Sequence, residues 1–185
     1  MWEFEHFLEY GIVARNGTPL PEEDARAIRR EFEDIAELLA GQPPVFTHRD
    51  YHSRNLMVDG VRLGVIDFQD ALMGAAAYDL ASLLQDARVD VPEMMEIALL
   101  SRYVRARMRK GPFEASDFAR GYATLAAQRA SKILGIFARL ERRDHKPQYL
   151  RHMPRVWNYL QRSLAHPDLA PLAAWYRANV PALKV

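Results

Sequence analysis

A chain of 185 residues in which 49% of side chains are apolar and 26% charged can bury one good core, as ordinary soluble proteins do. Its net charge of +1 gives no general pull toward nucleic acid or an acidic membrane, and its lack of cysteine excludes a disulfide scaffold and a thiol-ligated metal. No apolar run approaches membrane-spanning length and the N-terminus lacks a signal-peptide pattern, so the expectation is a soluble, cytoplasmic, single-domain unit without membrane contact.

From Met1 to Tyr10, aromatic and acidic residues alternate, with Trp2, Phe4, Phe7, Leu8 and Tyr10 available to a buried face. Gly11 and Gly17 flank a polar stretch and read as a structural turn. Thr18-Pro19-Leu20-Pro21 followed by Glu22, Glu23 and Asp24 opens a helix: proline suits the first turn and acids complement the helix N-terminus. Ile28, Phe32, Ile35, Leu38 and Leu39 recur at helical spacing, and Gly41 with Pro43-Pro44 ends the run.

Val45-Phe46-Thr47 then leads into His48-Arg49-Asp50-Tyr51-His52-Ser53-Arg54-Asn55, an HRDxxxxN loop. Leu56-Met57-Val58 and Leu63-Gly64-Val65-Ile66 read as short strands joined by Asp59-Gly60, a strong hairpin signal, and the second strand ends at Asp67. That order is the sequence form of a kinase catalytic centre. Phosphoryl transfer asks a protein to position an acceptor hydroxyl, hold Mg²⁺ on the nucleotide phosphates and neutralise developing charge. A loop carboxylate can take the hydroxyl proton, which assigns Asp50. The Asn55 amide oxygen and the Asp67 carboxylate are hard ligands for Mg²⁺, which keeps much of its water shell and needs few protein ligands. Either motif alone is more often a turn or a cap; together and in order, with the hairpin between them, they favour catalysis. His48 reads as a structural brace of the loop.

Gln69 to Ala77, rich in small residues, reads as a loop close to a ligand or to other backbone, where Asp70 either assists metal or acceptor binding or braces the loop. Arg54 suits phosphate or acceptor contact, with an ion pair to Asp70 or Asp79 as the competing role. Pro92 starts an amphipathic helix with Met95, Ala98, Leu99, Tyr103 and Val104 inward and a basic outer side; no aromatic interleaving accompanies those charges, so nucleic acid is not an expected partner. A long pattern from about Ser116 to Arg143 carries more than one apolar stripe and should form a central helix. Gln128, Arg129 and Lys132 interrupt it and must either join a buried network or face a cleft, and Gln128 and Arg129 are the candidate cleft residues. After the polar turn His145-Lys146-Pro147-Gln148, a helix with Tyr149, Leu150, Val156, Trp157, Leu160 and Leu164, and a last one around Leu172, Trp175 and Tyr176, supply packing anchors.

HxDxHxxN, read here as His48, Asp50, His52 and Asn55, with Ile66-Asp67-Phe68-Gln69-Asp70-Ala71 behind it, resembles the aminoglycoside phosphotransferase and choline kinase-like family. The loop, Tyr78-Asp79-Leu80 and the run Gln128 to Leu140 look more specifically like the N-acetylmuramate/N-acetylglucosamine kinases of cell-wall recycling. The resemblance implies a protein-kinase-like C-terminal lobe of aminoglycoside phosphotransferase type, mainly α, with a small β-hairpin bearing the metal ligands. It also implies phosphorylation of an amino sugar by ATP with Mg²⁺. Asp50, Asn55 and Asp67 would be catalytic, Asn55 and Asp67 would ligate metal, and His52, Arg54, Asp70, Gln128 and Arg129 would line the acceptor site. Asp79 would tie its helix to the catalytic loop.

The family's Gly-rich phosphate loop, phosphate-binding lysine and paired glutamate are not identifiable, so residues 1–185 are expected to be the acceptor-binding lobe without its nucleotide-binding lobe. Such a lobe would expose an apolar interlobe surface and self-associate through it. An aminoglycoside, choline-like or homoserine-like acceptor is one alternative; a lobe that binds without catalysis is another. A cationic acceptor calls for extra acidic or aromatic residues, whereas Gln128, Arg129 and Lys132 suit a neutral or carboxylate-bearing sugar.

Overall fold

The computed structural model describes Glu5, residues 7–41 and residues 43–180. Trp2, Phe4 and the side chain of Leu38, all expected to be buried, lie outside the described residues.

The π-helical segment Phe7–Ile12 runs into α1 (Val13–Asn16), which Gly17 closes at φ 76°. Phe7 and Leu8 are buried as expected, and Ile12, within the stretch read as a polar turn, is buried with them. Gly11, expected in a turn, sits inside the helical segment because two backbones meet there: an added Cβ would stand 2.8 Å from the Phe7 ring and 3.5 Å from the Cα of Gly135. Helix α2 (Glu22–Ala40) follows Pro21, carries its acids in the first turn and buries Ile28, Phe32 and Ile35 at the spacing read from sequence.

Strand β1 (Pro44–Thr47) leads into the HRD loop, which ends in a 3₁₀ turn, Ser53–Asn55. Strands β2 (Leu56–Asp59) and β3 (Arg62–Val65) form the expected antiparallel hairpin. Its two-residue loop is Gly60-Val61 rather than Asp59-Gly60, because Asp59 still pairs with Arg62 and Gly60 alone takes the positive φ, 57°. A second ribbon was not foreseen. Strand β4 (Leu72–Ala75), within the segment expected to be a loop, pairs antiparallel with β1, Val45 facing Gly74. A Cβ on Gly74 would lie 3.2 Å from Thr47 Oγ1, so a small residue suits that crossing.

Helices α3 (Ala77–Leu84), α4 (Glu93–Met108), α5 (Ala115–Arg142), α6 (Met153–Leu164) and α7 (Ala170–Asn179) complete the fold, with 3₁₀ turns at Pro147–His152 and Pro167–Leu169. Helix α5 is central as expected, packing on α6, α3 and the first helical segment. Its Ala127, Ala130, Leu134 and Phe137 join Phe7, Phe32, Leu160, Leu172 and Tyr176 in the main core. Trp157 and Trp175 are buried anchors, and Trp175 Nε1 donates to the Asp24 carbonyl at 3.1 Å. Leu150, grouped with these anchors from sequence, is 38% exposed in its 3₁₀ turn.

Helix α4 is oriented differently from the expectation. Met95 and Leu99 are exposed, and the buried residue of that helix is Glu96. Its carboxylate accepts from Gln85 Nε2 at 2.8 Å and Tyr122 Oη at 2.7 Å, and Arg162 Nη2 lies 3.1 Å away. These partners repay the burial of a charge and turn the face one residue from the apolar period. Burial beside this carboxylate raises the Tyr122 hydroxyl far above its ordinary range.

Candidate active site

Two carboxylates on either side of α3 shape the HRD loop. Asp79, in the first turn of α3, accepts the backbone N–H of His48 at 2.8 Å and of Arg49 at 3.0 Å. Asp86, just beyond α3, accepts Ser53 Oγ–H at 3.0 Å and caps the Arg88 amide at 2.8 Å. Between these grips Arg49 is held at φ 74°, a left-handed conformation costly for a side chain of this kind. His48 is buried and its Nε2–H donates to the Ile66 carbonyl at 2.9 Å, the bracing role its sequence position suggested.

Asn55 joins the loop to the hairpin exit. It is buried, and its Nδ2 donates both to the Asp50 carbonyl at 2.9 Å and to Asp67 Oδ2 at 3.2 Å. The Ile66 amide returns to the Asn55 carbonyl at 3.0 Å. Asp67 stands at φ 68°, in a region that aspartate tolerates better than most residues, and Gln69 Nε2 donates to its Oδ1 at 2.9 Å. Asp50 and Asp67 are both exposed, and neither forms a salt bridge among the described residues.

This donor set fits Mg²⁺. With its nitrogen committed to two oxygens, Asn55 offers Oδ1 to a cation, and the exposed Asp67 carboxylate supplies a second hard oxygen. Among the described residues no group of three His, Cys, Asp or Glu that could hold a metal ion is found.

A match to the model of the phosphotransferase enzyme family extends over residues 7–113. The chain belongs to that family. N-acetylmuramate/N-acetylglucosamine kinase of Caulobacter vibrioides is 46% identical over 142 residues, covering 74% of this chain and 38% of that protein. Those of Pseudomonas aeruginosa and Neisseria meningitidis are 38% and 39% identical, each covering over nine-tenths of this chain. The chain spans about half the length of these last two relatives, 52% and 53%. A crystal structure of a choline/ethanolamine kinase family protein from Mesorhizobium loti superposes with a TM-score of 0.58 at 16% identity, over 96% of this chain and 57% of that one, and shows the shared fold.

The remaining sequence-selected residues separate into two places. His52 continues the loop, its N–H donating to the Asp50 carbonyl and its own carbonyl accepting from the Asn55 amide, both at 3.0 Å. Arg54 is exposed on the 3₁₀ turn and pairs with neither Asp70 nor Asp79 among the described residues. Asp70 is exposed, and its carbonyl lies 3.5 Å from Arg49 Nη1. Arg129 is committed to α3: Nη2 donates to Ser82 Oγ at 2.8 Å and the guanidinium carbon lies 4.7 Å from the Tyr78 ring centroid. Gln128 is half-buried beside it, and among the described residues no hydrogen bond joins either side chain to the HRD loop. Asp86 and Ser53 were not singled out from sequence. An acid two residues past a helix end, ahead of an arginine, was the available signal.

No helix of the described residues is long and apolar enough to cross a membrane.

Proposed function

We propose that residues 1–185 are the acceptor-side lobe of a cytoplasmic, ATP- and Mg²⁺-dependent kinase that phosphorylates an amino sugar, N-acetylmuramate or N-acetylglucosamine, and that a nucleotide-binding lobe completes it. The observation that carries this reading is the Asn55 side chain bridging the Asp50 backbone and the Asp67 carboxylate at 2.9 and 3.2 Å, which gathers the two motif halves into one centre. The relatives that share 38–46% identity bear the name of that kinase and are longer, leaving room for a second lobe.

In this reading Asp50 accepts the proton of the sugar hydroxyl as its oxygen bonds to the γ-phosphorus and the bond to the leaving ADP oxygen breaks. Asn55 and Asp67 would hold Mg²⁺, which when bound neutralises charge on the phosphates. Asp79 and Asp86 set the angle of the Asp50 carboxylate through the backbone, while His52, Arg54 and Asp70 flank the acceptor. Arg129 and Gln128 support the α3 wall on which that loop rests.

The test is ADP release by the purified protein with each sugar, the intact mass being recorded on the same sample. Sugar-dependent release, lost in Asp50→Ala, is expected with the nucleotide lobe supplied in the same chain or as a separate one. Release that needs no sugar, or that survives Asp50→Ala, refutes the reading.

A further inference from the structure

The segment that follows α3 is held at two consecutive buried residues. Gln85 ends the helix, its backbone leaving helical geometry at φ −123° and ψ 45°, and its side chain turns into the core. Nε2 donates to Glu96 Oε1 of α4 at 2.8 Å and to Ser163 Oγ of α6 at 3.3 Å. The same carboxylate oxygen accepts Tyr122 Oη–H of α5 at 2.7 Å, and Arg162 Nη2 lies 3.1 Å from Oε2. Asp86, the next residue, meets the catalytic loop instead, accepting Ser53 Oγ–H at 3.0 Å while its other oxygen takes the Arg88 amide. Ser53 opens the 3₁₀ turn that closes on Asn55, whose amide bonds the His52 carbonyl at 3.0 Å and whose side chain joins Asp50 to Asp67.

We infer that Gln85 and Glu96 are positioning residues of the catalytic loop, acting through Asp86 and Ser53, although among the described residues neither is hydrogen-bonded to that loop. The inference rests on the kinase reading and extends the loop's support from α3 to α4, α5 and α6.

Burial makes this chain of contacts directional. Gln85, Asp86, Glu96 and Ser163 are exposed by only 7%, 4%, 6% and 5%. In such surroundings a polar group that loses its partner has no water to replace it, so the satisfied arrangement of the network fixes where Gln85 stands. With Gln85 fixed, the peptide that joins it to Asp86 is fixed, and the Asp86 carboxylate meets Ser53 in one place. Packing alone does not ask for a carboxylate at position 96: an apolar side chain of similar size would hold α4 to α5 without desolvating a charge, and buried ion pairs add little stability over such a replacement. What the carboxylate adds is the placement of its donors, and the donor that leads to the loop is Gln85. Helix α6 repeats the grip further along. Arg155 donates to the Ala87 carbonyl at 3.1 Å and Tyr159 Oη accepts the Val91 amide at 3.1 Å, which resists sliding of the segment that carries Asp86.

The test uses the complete enzyme with Gln85→Met, which keeps the volume and removes the amide, Ser53→Ala, the two combined, Glu96→Leu, Glu96→Gln and, as a control, Ser131→Ala. Ser131 is a fully buried hydroxyl bonded to the Ala127 carbonyl and to Tyr176, away from the loop. The readouts are kcat in the ADP-release assay, corrected for the folded fraction by urea denaturation, and amide exchange at His52 and Asn55. Gln85→Met is expected to lower kcat per folded molecule about tenfold, less than a full 1 Å misplacement costs, and to hasten exchange at both amides. Ser53→Ala should do the same, and adding Gln85→Met to it should lower kcat by less than about twofold more, since the link is already cut. Glu96→Gln, which keeps an acceptor for Gln85, should recover most of the rate that Glu96→Leu loses. Ser131→Ala should lower the urea midpoint and leave kcat and both amides alone.

Additive losses in the combined variant overturn the inference while the kinase reading stands. So do Gln85→Met and Glu96→Leu proteins with natural kcat and natural protection, or an equal fall of kcat in Ser131→Ala, which would mean that any weakening of the core slows the enzyme. If the natural enzyme shows no sugar-dependent turnover, the kinase reading fails, and exchange at His52 and Asn55 still decides whether Gln85 and Glu96 hold the loop.

Discussion

Replacing Asp79 by asparagine isolates what holds the catalytic loop. The Asp79 carboxylate accepts two backbone amides, from His48 at 2.8 Å and Arg49 at 3.0 Å. Asparagine keeps one carbonyl acceptor and turns an NH₂ toward the other amide, so one charge-assisted bond is lost and the remaining one is weakened. Hydrogen bonds to a charged group contribute roughly 1.5–3 kcal/mol; because Asp79 is half-buried, the lower end applies and the expected loss is about 2 kcal/mol. Released from its anchor, Arg49 can leave φ 74°, relieving a conformation that costs roughly 1–2 kcal/mol and favouring a displaced loop. Urea denaturation should show the midpoint shift, and amide exchange should accelerate at His48 and Arg49 before the helices open. In the complete enzyme a loop displaced by about 1 Å should cost about a hundredfold in kcat. An Asp79→Asn protein with unchanged midpoint and unchanged protection at those two amides would show that the carboxylate does not position the loop.

Glu96→Ala should destabilise the fold by about 3 kcal/mol, read from the urea midpoint, because it strands the Arg162 guanidinium and the donors of Gln85 and Tyr122 around an empty site; Glu96→Gln should cost less. Gly11→Ala should destabilise by about 1–2 kcal/mol in the same measurement, since its methyl would meet the fully buried Phe7 ring at 2.8 Å and outweigh any gain in helix propensity. His152 is held below its ordinary pKa of 6.5, mainly by burial, so the stability this contributes is whole above that pH and falls away as pH drops through the lowered value. His152→Gln should flatten the acid side of a thermal-stability profile below pH 6.5, and an unchanged profile would refute the linkage. Val58, Leu63, Phe46 and Phe68 are 77%, 56%, 67% and 62% exposed on the ribbons and the segment after β3, the surface expected to self-associate. Val58→Lys with Leu63→Lys should shift sedimentation toward monomer, whereas a natural chain that is already monomeric would refute the expectation.

The legible parts of this chain are those whose physics is local. The Asp50–Asn55 spacing, the Gly60 turn and the apolar run to Asp67 are fixed within one short stretch, and the structure closes it with Asn55 bonded to both aspartates. Helices α2 and α5 announce themselves by a 3.6-residue period because each buries apolar side chains against the core. Helix α4 misled because its buried residue is an acid. Glu96 finds partners 11 and 26 positions away, so its burial depends on helices the local pattern does not contain. Strand β4 was illegible for a related reason: Leu72 to Ala75 carries two small residues and becomes a strand only through pairing with β1.

The same contrast explains why Gln128 and Arg129 drew attention although, among the described residues, no hydrogen bond joins either to the loop. Helix α3 carries Asp79 at its start and is followed by Asp86, and these acids grip the HRD loop at His48-Arg49 and at Ser53. Its other side rests on α5, where Ala77 and Ala81 pack with Leu125 and Ala126. Arg129 pins that contact through Ser82 and Tyr78. A polar residue on a central helix must find a partner, and here it finds the back of the element that shapes the loop. Arg129 is therefore linked to Asp50 through one rigid helix, and truncating it should disturb loop geometry and stability together, which a direct sugar contact would not do.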